Sequence, residues 1–102
     1  MFKLMVLYRK PEDPEAFMKH FTEVHLPLAK AVPGLVKIEV GQIDLYFGGP
    51  HYILISELYF PDRATLDMAL RSPENRAAGA DLANFAPGMA EFLLAEVVGV
   101  DP

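Results

Sequence analysis

The sequence predicts an α+β protein of the ferredoxin-like class, with a four-stranded antiparallel sheet and helices on one of its faces. Strand-like and helix-like hydrophobic periodicities follow one another in the order β-α-β-β-α-β, which is the split β-α-β arrangement. Prolines and glycines separate these segments. Because no linker, repeat or low-complexity tract divides the chain, we expect one domain over residues 1–102.

The first strand is predicted over Phe2–Arg9, because Leu4–Leu7 is apolar on both alternating faces, as in a strand covered on both sides. A helix follows, with Asp13 as the N-cap and Pro14 at the first helical position. Pro27 should kink or break this helix near Val24–Leu26, since it lacks a backbone donor. The apolar stripe of the helix consists of Phe17, Phe21, Val24 and Leu28.

The second half of the chain supplies the remaining strands and helices. Residues 35–43 alternate between apolar and polar, as in an amphipathic edge strand, and residues 44–50 read as a loop. Residues 52–60 and 89–100 predict two further strands that are apolar on both faces. Helices are expected to start at Pro61-Asp62 and at Ser72-Pro73-Glu74 and to stop at Ala86-Pro87-Gly88.

The amount of apolar sequence predicts a second copy of the chain. Of the 102 residues, 52% are hydrophobic and 23% are charged. No apolar run approaches the ~18–20 residues that a membrane-spanning helix needs. Helices on one face of the sheet leave the second, apolar faces of strands one, three and four uncovered. We therefore predict a homodimer that packs sheet against sheet.

Composition and motifs exclude several classes of function. The chain has no cysteine, and its net charge of −5 with no basic run argues against nucleic acid and anionic membranes as partners. With no signal peptide apparent, we expect a cytoplasmic location. Neither a phosphate-binding loop nor a nucleophile elbow occurs, so we expect no nucleotide cofactor and no serine-hydrolase chemistry.

Histidine is the residue type that points to chemistry. His20 and His25 lie on the two flanks of the first helix, and His25 stands next to the Pro27 break. A histidine at such an irregularity can act as a general acid or base, or it can simply fix the kink. We interpret His20 as a flank residue that reaches water. Because five residues separate the two on a helix, and His51 lies in a loop, we expect no metal site.

Carboxylates and aromatic rings complete the candidate site. Glu57 and Glu96 lie in apolar strands, where a carboxylate must be paired, shifted in pKa or directed into a pocket. Asp81 on the last helix faces Arg76, Arg71 or a cavity. A carboxylate beside His25 would orient its ring and raise its basicity. The rings that either fill the core or line a pocket for a flat apolar ligand are Tyr8, Tyr52, Tyr59, Phe60, Phe85 and Phe92.

Several segments together are similar to the EthD family of dimeric α+β barrel proteins. They are His25-Leu26-Pro27-Leu28, Val32-Pro33-Gly34-Leu35, Glu57-Leu58-Tyr59-Phe60, Ser72-Pro73-Glu74, and Asp81 followed by Asn84-Phe85. The resemblance spans nearly the whole chain in the family's order. It implies a ferredoxin-like monomer that pairs through its sheets into a barrel, with a cavity between sheet and helices in each subunit.

The resemblance also implies a range of activities. The wider superfamily includes polyketide cyclases and dehydratases, cofactor-free monooxygenases, muconolactone isomerases and haem-degrading enzymes. The family's HxPL histidine matches His25, whereas Ala86 stands where many relatives carry an acidic residue, which disfavours a mechanism with a carboxylate there.

The leading hypothesis is an enzyme that transfers a proton next to the carbonyl group of an apolar or aromatic compound, with neither metal nor cofactor. His25 would be the catalytic residue, with Glu57 or Asp81 orienting it. Tyr8 and Tyr59 would polarise the substrate, and Phe85 would help to bind it. The alternative is a non-catalytic dimeric protein that binds a ligand or is associated with stress, in which the histidine is structural.

Overall fold

The structure is a computed structural model and describes residues 1–44 and 47–99. Within these residues, four strands form one antiparallel sheet in the order β2-β3-β1-β4. The strands are β1 (Phe2–Arg9), β2 (Lys37–Gln42), β3 (Tyr52–Phe60) and β4 (Ala90–Glu96). The predicted fold class is confirmed, and so is the edge position of the second strand.

The helices lie between β1 and β2 and between β3 and β4, as the sequence predicts. Each predicted start has its cap: Asp13 accepts a hydrogen bond from the Ala16 amide, and Ser72 accepts one from the Asn75 amide. The helical segments are α1 (Pro14–His20), a π-helical turn (Phe21–His25), α2 (Leu26–Lys30), α3 (Arg63–Leu70) and α4 (Pro73–Phe85).

Two predicted strands are longer than the observed ones. β2 covers residues 37–42 of the predicted 35–43, and β4 covers 90–96 of the predicted 89–100. Among the described residues β4 pairs with β1, and Glu96 lies opposite Phe2, the first residue of β1, so the paired ladder ends there. Residue 100, together with residues 45 and 46 of the predicted loop, lies outside the described residues.

The helices pack on one face of the sheet, which we call the covered face. Alternation along β1 and β3 places on it Leu4, Val6 and Tyr8 from β1 and Leu54, Ser56, Leu58 and Phe60 from β3, all buried. From the helices they meet Phe17, Phe21, Ala29, Leu66 and Ala69 in one hydrophobic cluster. The core of the fold therefore lies between the covered face and the helices.

The opposite side of the sheet, which we call the open face, carries the alternate residues. Met5 and Leu7 of β1 stand here beside Ile55 of β3 and Leu93 of β4. Leu93 is 49% exposed. Ion pairs flank this apolar centre: Lys3–Glu57, Arg9–Glu91 and Lys37–Glu39. The second face is thus apolar as predicted in its middle, but charged towards its ends.

A glycine allows the close approach of the turn that ends the first helical region. Gly34 has a φ of +80°, which L side chains rarely adopt. A Cβ atom built there would lie 2.4 Å from Cγ2 of Thr65 on α3. The predicted stop at Pro33-Gly34 therefore has a backbone and a packing cause. In the part of the chain that the structure describes, no helix is both long and apolar enough to cross a membrane.

Candidate functional site

A π-helical turn brings the two histidines of the first helical region to the same side. The amide of Leu26 bonds the carbonyl of Phe21, five residues back, instead of the α-helical four. In an α-helix, residues five apart diverge by about 140°. A turn with five-residue hydrogen bonds removes most of that angle, so His20 and His25 face the same neighbour. The expected interruption near Pro27 is confirmed in place, and its form is this wider turn.

The neighbour is Asp81 on α4. Its Oδ2 lies 3.0 Å from Nδ1 of His25, and its Oδ1 lies 2.8 Å from Nε2 of His20. Because an ionised carboxylate only accepts hydrogen bonds, both facing nitrogens carry hydrogen. The prediction that Asp81 pairs with Arg76 or Arg71 is wrong. Asp81 bonds the two histidines, and the Arg76 guanidinium donates to the Arg71 carbonyl.

This arrangement corrects the interpretation of His20 as a residue that only reaches water. Its ring bonds Asp81 and stacks on Phe85 with centroids 4.5 Å apart. The ring of His25 lies 5.1 Å from Phe85 and 5.7 Å from Phe21. These contacts hold both imidazoles against the carboxylate. The sequence signal for the role of His20 was its five-residue spacing from His25. This spacing brings the two side chains to the same side in a π-helical turn, but not in an α-helix.

Burial controls the protonation of His25. Its side chain is 9% exposed and that of Asp81 is 11% exposed. Burial is the largest influence and lowers the pKa of His25 below its usual value, although the hydrogen bond to Asp81 opposes this shift. The neutral ring keeps hydrogen on Nδ1, so its Nε2 carries a lone pair. That nitrogen has no hydrogen-bond partner among the described residues.

A cavity of about 380 Å³ lies between the covered face and the helices, and His25 forms part of its wall. The polar residues that also line it are Tyr8, Ser56 and Asn75. Its remaining wall is mainly apolar and includes Leu4, Val6, Ile38, Leu58, Leu82 and Phe92. A cavity of this size and lining suits a compact apolar ligand with few polar groups.

Tyr8 is the tyrosine that the structure brings to the cavity. It is 1% exposed, and burial raises the pKa of its hydroxyl, so the group stays protonated and can donate a hydrogen bond. Its ring packs edge-on against Phe17 and Phe21, each with centroids 5.6 Å away. Tyr8 therefore belongs to the cavity wall, and its role in polarising a substrate stays a prediction.

Two other predicted site residues lie elsewhere. Glu57 follows Ser56 in β3, and alternation places its side chain on the open face, where it bonds Lys3 at 2.8 Å. Tyr59 lies on the same face, with Nζ of Lys37 4.6 Å from its ring centroid. Neither residue reaches His25 or the cavity, because the sheet itself stands between them.

The remaining candidates have structural partners. Phe85 packs on both histidine rings and does not belong to the cavity wall. The His51 carbonyl accepts a hydrogen bond from the Lys10 amide. Within residues 1–44 and 47–99, no group of three histidine or acidic side chains has a geometry suited to a metal ion. Ser56 was not among the sequence candidates, because a lone serine in a strand carries no distinguishing pattern.

Comparison with known proteins gives consistent matches. The sequence model of the EthD domain matches residues 9–88. An uncharacterized 11.0 kDa protein of Rhodococcus erythropolis, from the thcB–thcC intergenic region, is 34% identical over 103 residues and is covered completely, as is this chain. The crystal structure of an EthD family protein from Bacillus halodurans has a TM-score of 0.90 at 34% identity, covering 96% of this chain and 99% of that one.

More distant solved structures share the fold. A dimeric ferredoxin-like protein of unknown function from Jannaschia has a TM-score of 0.72 at 21% identity, covering 95% of this chain and 100% of its own. SnoaB, a cofactor-independent oxygenase from Streptomyces nogalater, has a TM-score of 0.68 at 16% identity, covering 99% and 96%. At these identities the likeness concerns the fold alone, which is common to dimeric proteins and to an oxygenase.

Proposed function

Because this chain belongs to the EthD family and sets a carboxylate-bound histidine beside an apolar cavity, we propose that it is an enzyme that moves a proton. The proton would come from the carbon next to the carbonyl group of an apolar or aromatic ketone. The observation that supports this is the position of His25: its Nδ1 is held by Asp81 at 3.0 Å while its ring forms part of the cavity wall.

The chemistry follows from the free nitrogen. Nε2 of His25 takes the proton from the α-carbon, the C–H electron pair moves into the new C=C bond, and the carbonyl oxygen becomes an enolate. Asp81 stabilises the imidazolium that forms, and the proton stays on Nε2 until it is returned. Return of the proton to a different carbon gives an isomerase. If a hydroxyl group on the next carbon takes the proton from Nε2 and leaves as water, the reaction is that of a dehydratase. If the enolate carbon adds O₂ and the resulting peroxide anion takes the proton from Nε2, the step is oxygenase-like.

Hydrogen exchange tests this proposal without knowledge of the natural substrate. The protein is mixed with 2-tetralone or 1-indanone in D₂O, and loss of the α-proton signal is followed by NMR. We expect exchange above the buffer rate, and a decrease of roughly 10²–10⁴-fold in His25→Gln, since this is what a positioned general base contributes.

Glu57→Gln is the matched control, because it removes a carboxylate from the other face of the sheet, and we expect it to exchange at the wild-type rate. Equal rates in wild type and His25→Gln, or no exchange above buffer with either ketone, would contradict the proposal. Binding of these ketones without exchange would support the non-catalytic alternative, in which the two histidines only tie the π-helical turn to α4 through Asp81.

We also propose that the open face pairs with the open face of a second copy. Its centre is apolar, Leu93 is 49% exposed, and structures with the same fold are dimeric. Leu93→Glu should shift the protein to monomers in sedimentation at micromolar concentration. Met68→Glu is the control, since Met68 is 67% exposed on α3, away from the sheet, and should leave the dimer intact. A monomeric wild-type protein would refute this assembly.

A further inference from the structure

The cavity wall contains a buried hydroxyl that the fold does not use. Ser56 lies in the middle of β3 on the covered face, between Leu54 and Leu58, and is 3% exposed. Its Oγ has no hydrogen-bond partner among the described residues. Buried side-chain hydroxyls nearly always have a partner, so an orphaned one in a cavity wall is available to a molecule that occupies the cavity.

The surroundings of Ser56 offer few alternative partners. Asn75, also in the wall, donates its side-chain amide to the Leu70 carbonyl. Tyr8 lies on the neighbouring strand β1. It follows Val6 by two residues and lies on the same face of the sheet, and Val6 pairs directly with Ser56. Burial raises the pKa of the Tyr8 hydroxyl, and the Ser56 hydroxyl is close enough to Tyr8 to lower it in part, but the two do not meet the geometry of a hydrogen bond. Two hydroxyls therefore line the cavity on the sheet side, with His25 on the helix side.

We propose that Ser56 is the residue that recognises the oxygen of the ligand, donating its hydroxyl hydrogen to the carbonyl group of an aromatic or alicyclic ketone, with Tyr8 as the second donor. This rests on the proposed function for the nature of the ligand. An oxygen held on the sheet side leaves the adjacent C–H group towards His25, and the same two donors stabilise the enolate once the proton has moved.

A glycine of α4 also lines this cavity. Gly79 lies in the middle of α4, where glycine costs about 1 kcal/mol relative to alanine. It lines the cavity, and a Cβ built there meets no atom within 4 Å. Gly79 is exposed, so a larger side chain at this edge of the cavity would not clash with the protein. Gly79→Leu is therefore a variant designed to narrow the cavity at its edge.

Paired probes separate recognition of oxygen from binding of an apolar skeleton. The dissociation constants of 2-tetralone and tetralin, and of 1-indanone and indane, are measured by NMR titration. We expect each ketone to bind the wild-type protein about tenfold more tightly than its hydrocarbon, which is the effect of one net hydrogen bond. Ser56→Ala should remove most of this preference, since only the Tyr8 donor is then left, and it should leave hydrocarbon binding unchanged and not lower Tm.

Two further variants make the result specific. Ser72→Ala removes the other buried serine, whose hydroxyl caps α4 and donates to the Ala69 carbonyl. It should lower Tm and keep the ketone preference. Gly79→Leu should weaken binding of ketone and hydrocarbon alike, because both occupy the cavity.

The proposal is overturned if the wild type shows no ketone preference, if the preference is as large in Ser56→Ala as in wild type, or if Ser56→Ala lowers Tm as Ser72→Ala does. Equilibrium binding does not need proton transfer, so His25→Gln should keep the preference. Preference without α-proton exchange would reject the proposed function and leave the role of Ser56 standing. Exchange of the α-proton without a ketone preference would reject the role of Ser56 and leave the proposed function standing.

Discussion

The polar side chains on the two faces of the sheet differ in whether they have hydrogen-bond partners. On the open face the charged side chains of β1 and β3 pair with each other, as Lys3 does with Glu57 at 2.8 Å. On the covered face Ser56 has no hydrogen-bond partner among the described residues. His25 of the π-helical turn, which lines the same cavity, has Nδ1 bonded to Asp81, and its Nε2 has no hydrogen-bond partner among the described residues. Satisfied groups serve assembly and solvation, whereas unsatisfied groups beside a cavity are available to a ligand.

Neighbouring residues of one strand show how sharp this division is. Ser56 and Glu57 are consecutive in β3, yet one lines the cavity and the other forms an ion pair on the far side. The two-residue period of a strand is sufficient to cause this. Chemical type alone therefore does not identify a site residue in this fold, because the face on which it lies decides what it can reach.

The largest expected effect compares core and open-face residues on β3. Leu54 is fully buried on the covered face, so Leu54→Ala should lower the free energy of unfolding by about 2–5 kcal/mol. Ile55→Ala, on the open face, should instead weaken the proposed dimer. Denaturant unfolding and sedimentation of both variants check this. If Leu54→Ala dissociated the dimer while Ile55→Ala did not, the assignment of the two faces would be reversed.

The next effect concerns Asp81, the carboxylate of α4 that bonds His25. Asp81→Asn should slow α-proton exchange by about tenfold to hundredfold, because the ring of His25 loses its orienting carboxylate. Asp81 also raises the pKa of His25, so the exchange–pH profile of the variant should shift to lower pH. A slower rate with an unshifted profile would show that Asp81 acts on stability alone.

A smaller effect is the pH dependence of stability. Burial lowers the pKa of His25 in the folded state, so the unfolded state binds its proton more readily. The contribution of neutral His25 to the free energy of unfolding is then fully present above pH ~6.5, which is its pKa in the unfolded state. This contribution is lost as the pH falls towards the pKa of the folded state. The groups that face the ring are Asp81 from α4 and His20 from α1.

The measurement is the unfolding free energy of wild type and His25→Gln between pH 5 and 8, by urea titration. As the pH decreases, the free energy of unfolding of the wild type should fall relative to that of His25→Gln. A difference that is independent of pH would show that the folded and unfolded pKa values of His25 are the same.

The smallest effect is expected on the open face. Lys3→Met removes the partner of Glu57, and the pair is partly exposed to solvent, so unfolding free energy should fall by only about 0–1 kcal/mol. The exchange rate should stay at the wild-type value. A loss of several kcal/mol in thermal or denaturant unfolding would mean that the ion pair is much more deeply buried in the assembly than in one copy.

The fold was largely predictable because its signals are local. The caps Asp13 and Ser72, the apolar strand at 52–60 and the glycine turn at Gly34 each follow from short patterns in the sequence. The end of β4 was not predictable in the same way, since it depends on where β1 stops offering partners. Strand length is a property of the pair and not of the segment.

The site was predictable in part. His25, Asp81 and Tyr8 were identified as candidates, because an imidazole, a carboxylate and a phenol in apolar segments need partners or a pocket. The face on which Glu57 and Tyr59 lie was not predictable, because two-sided apolar strands hide the period of two. The meeting of His20 with Asp81 depends on a π-helical turn, for which the sequence offers only Pro27 as a signal.

The central claim is that Asp81 holds the proton of His25 on Nδ1 and leaves Nε2 unprotonated towards a ligand. Long-range proton–nitrogen NMR correlation of nitrogen-15-labelled protein at pH 7 observes both nitrogens directly. The account predicts a neutral ring with a protonated Nδ1 and a bare Nε2, and an Nε2 signal that moves when 2-tetralone is added. A ring protonated on Nε2, or an imidazolium at pH 7, would contradict it.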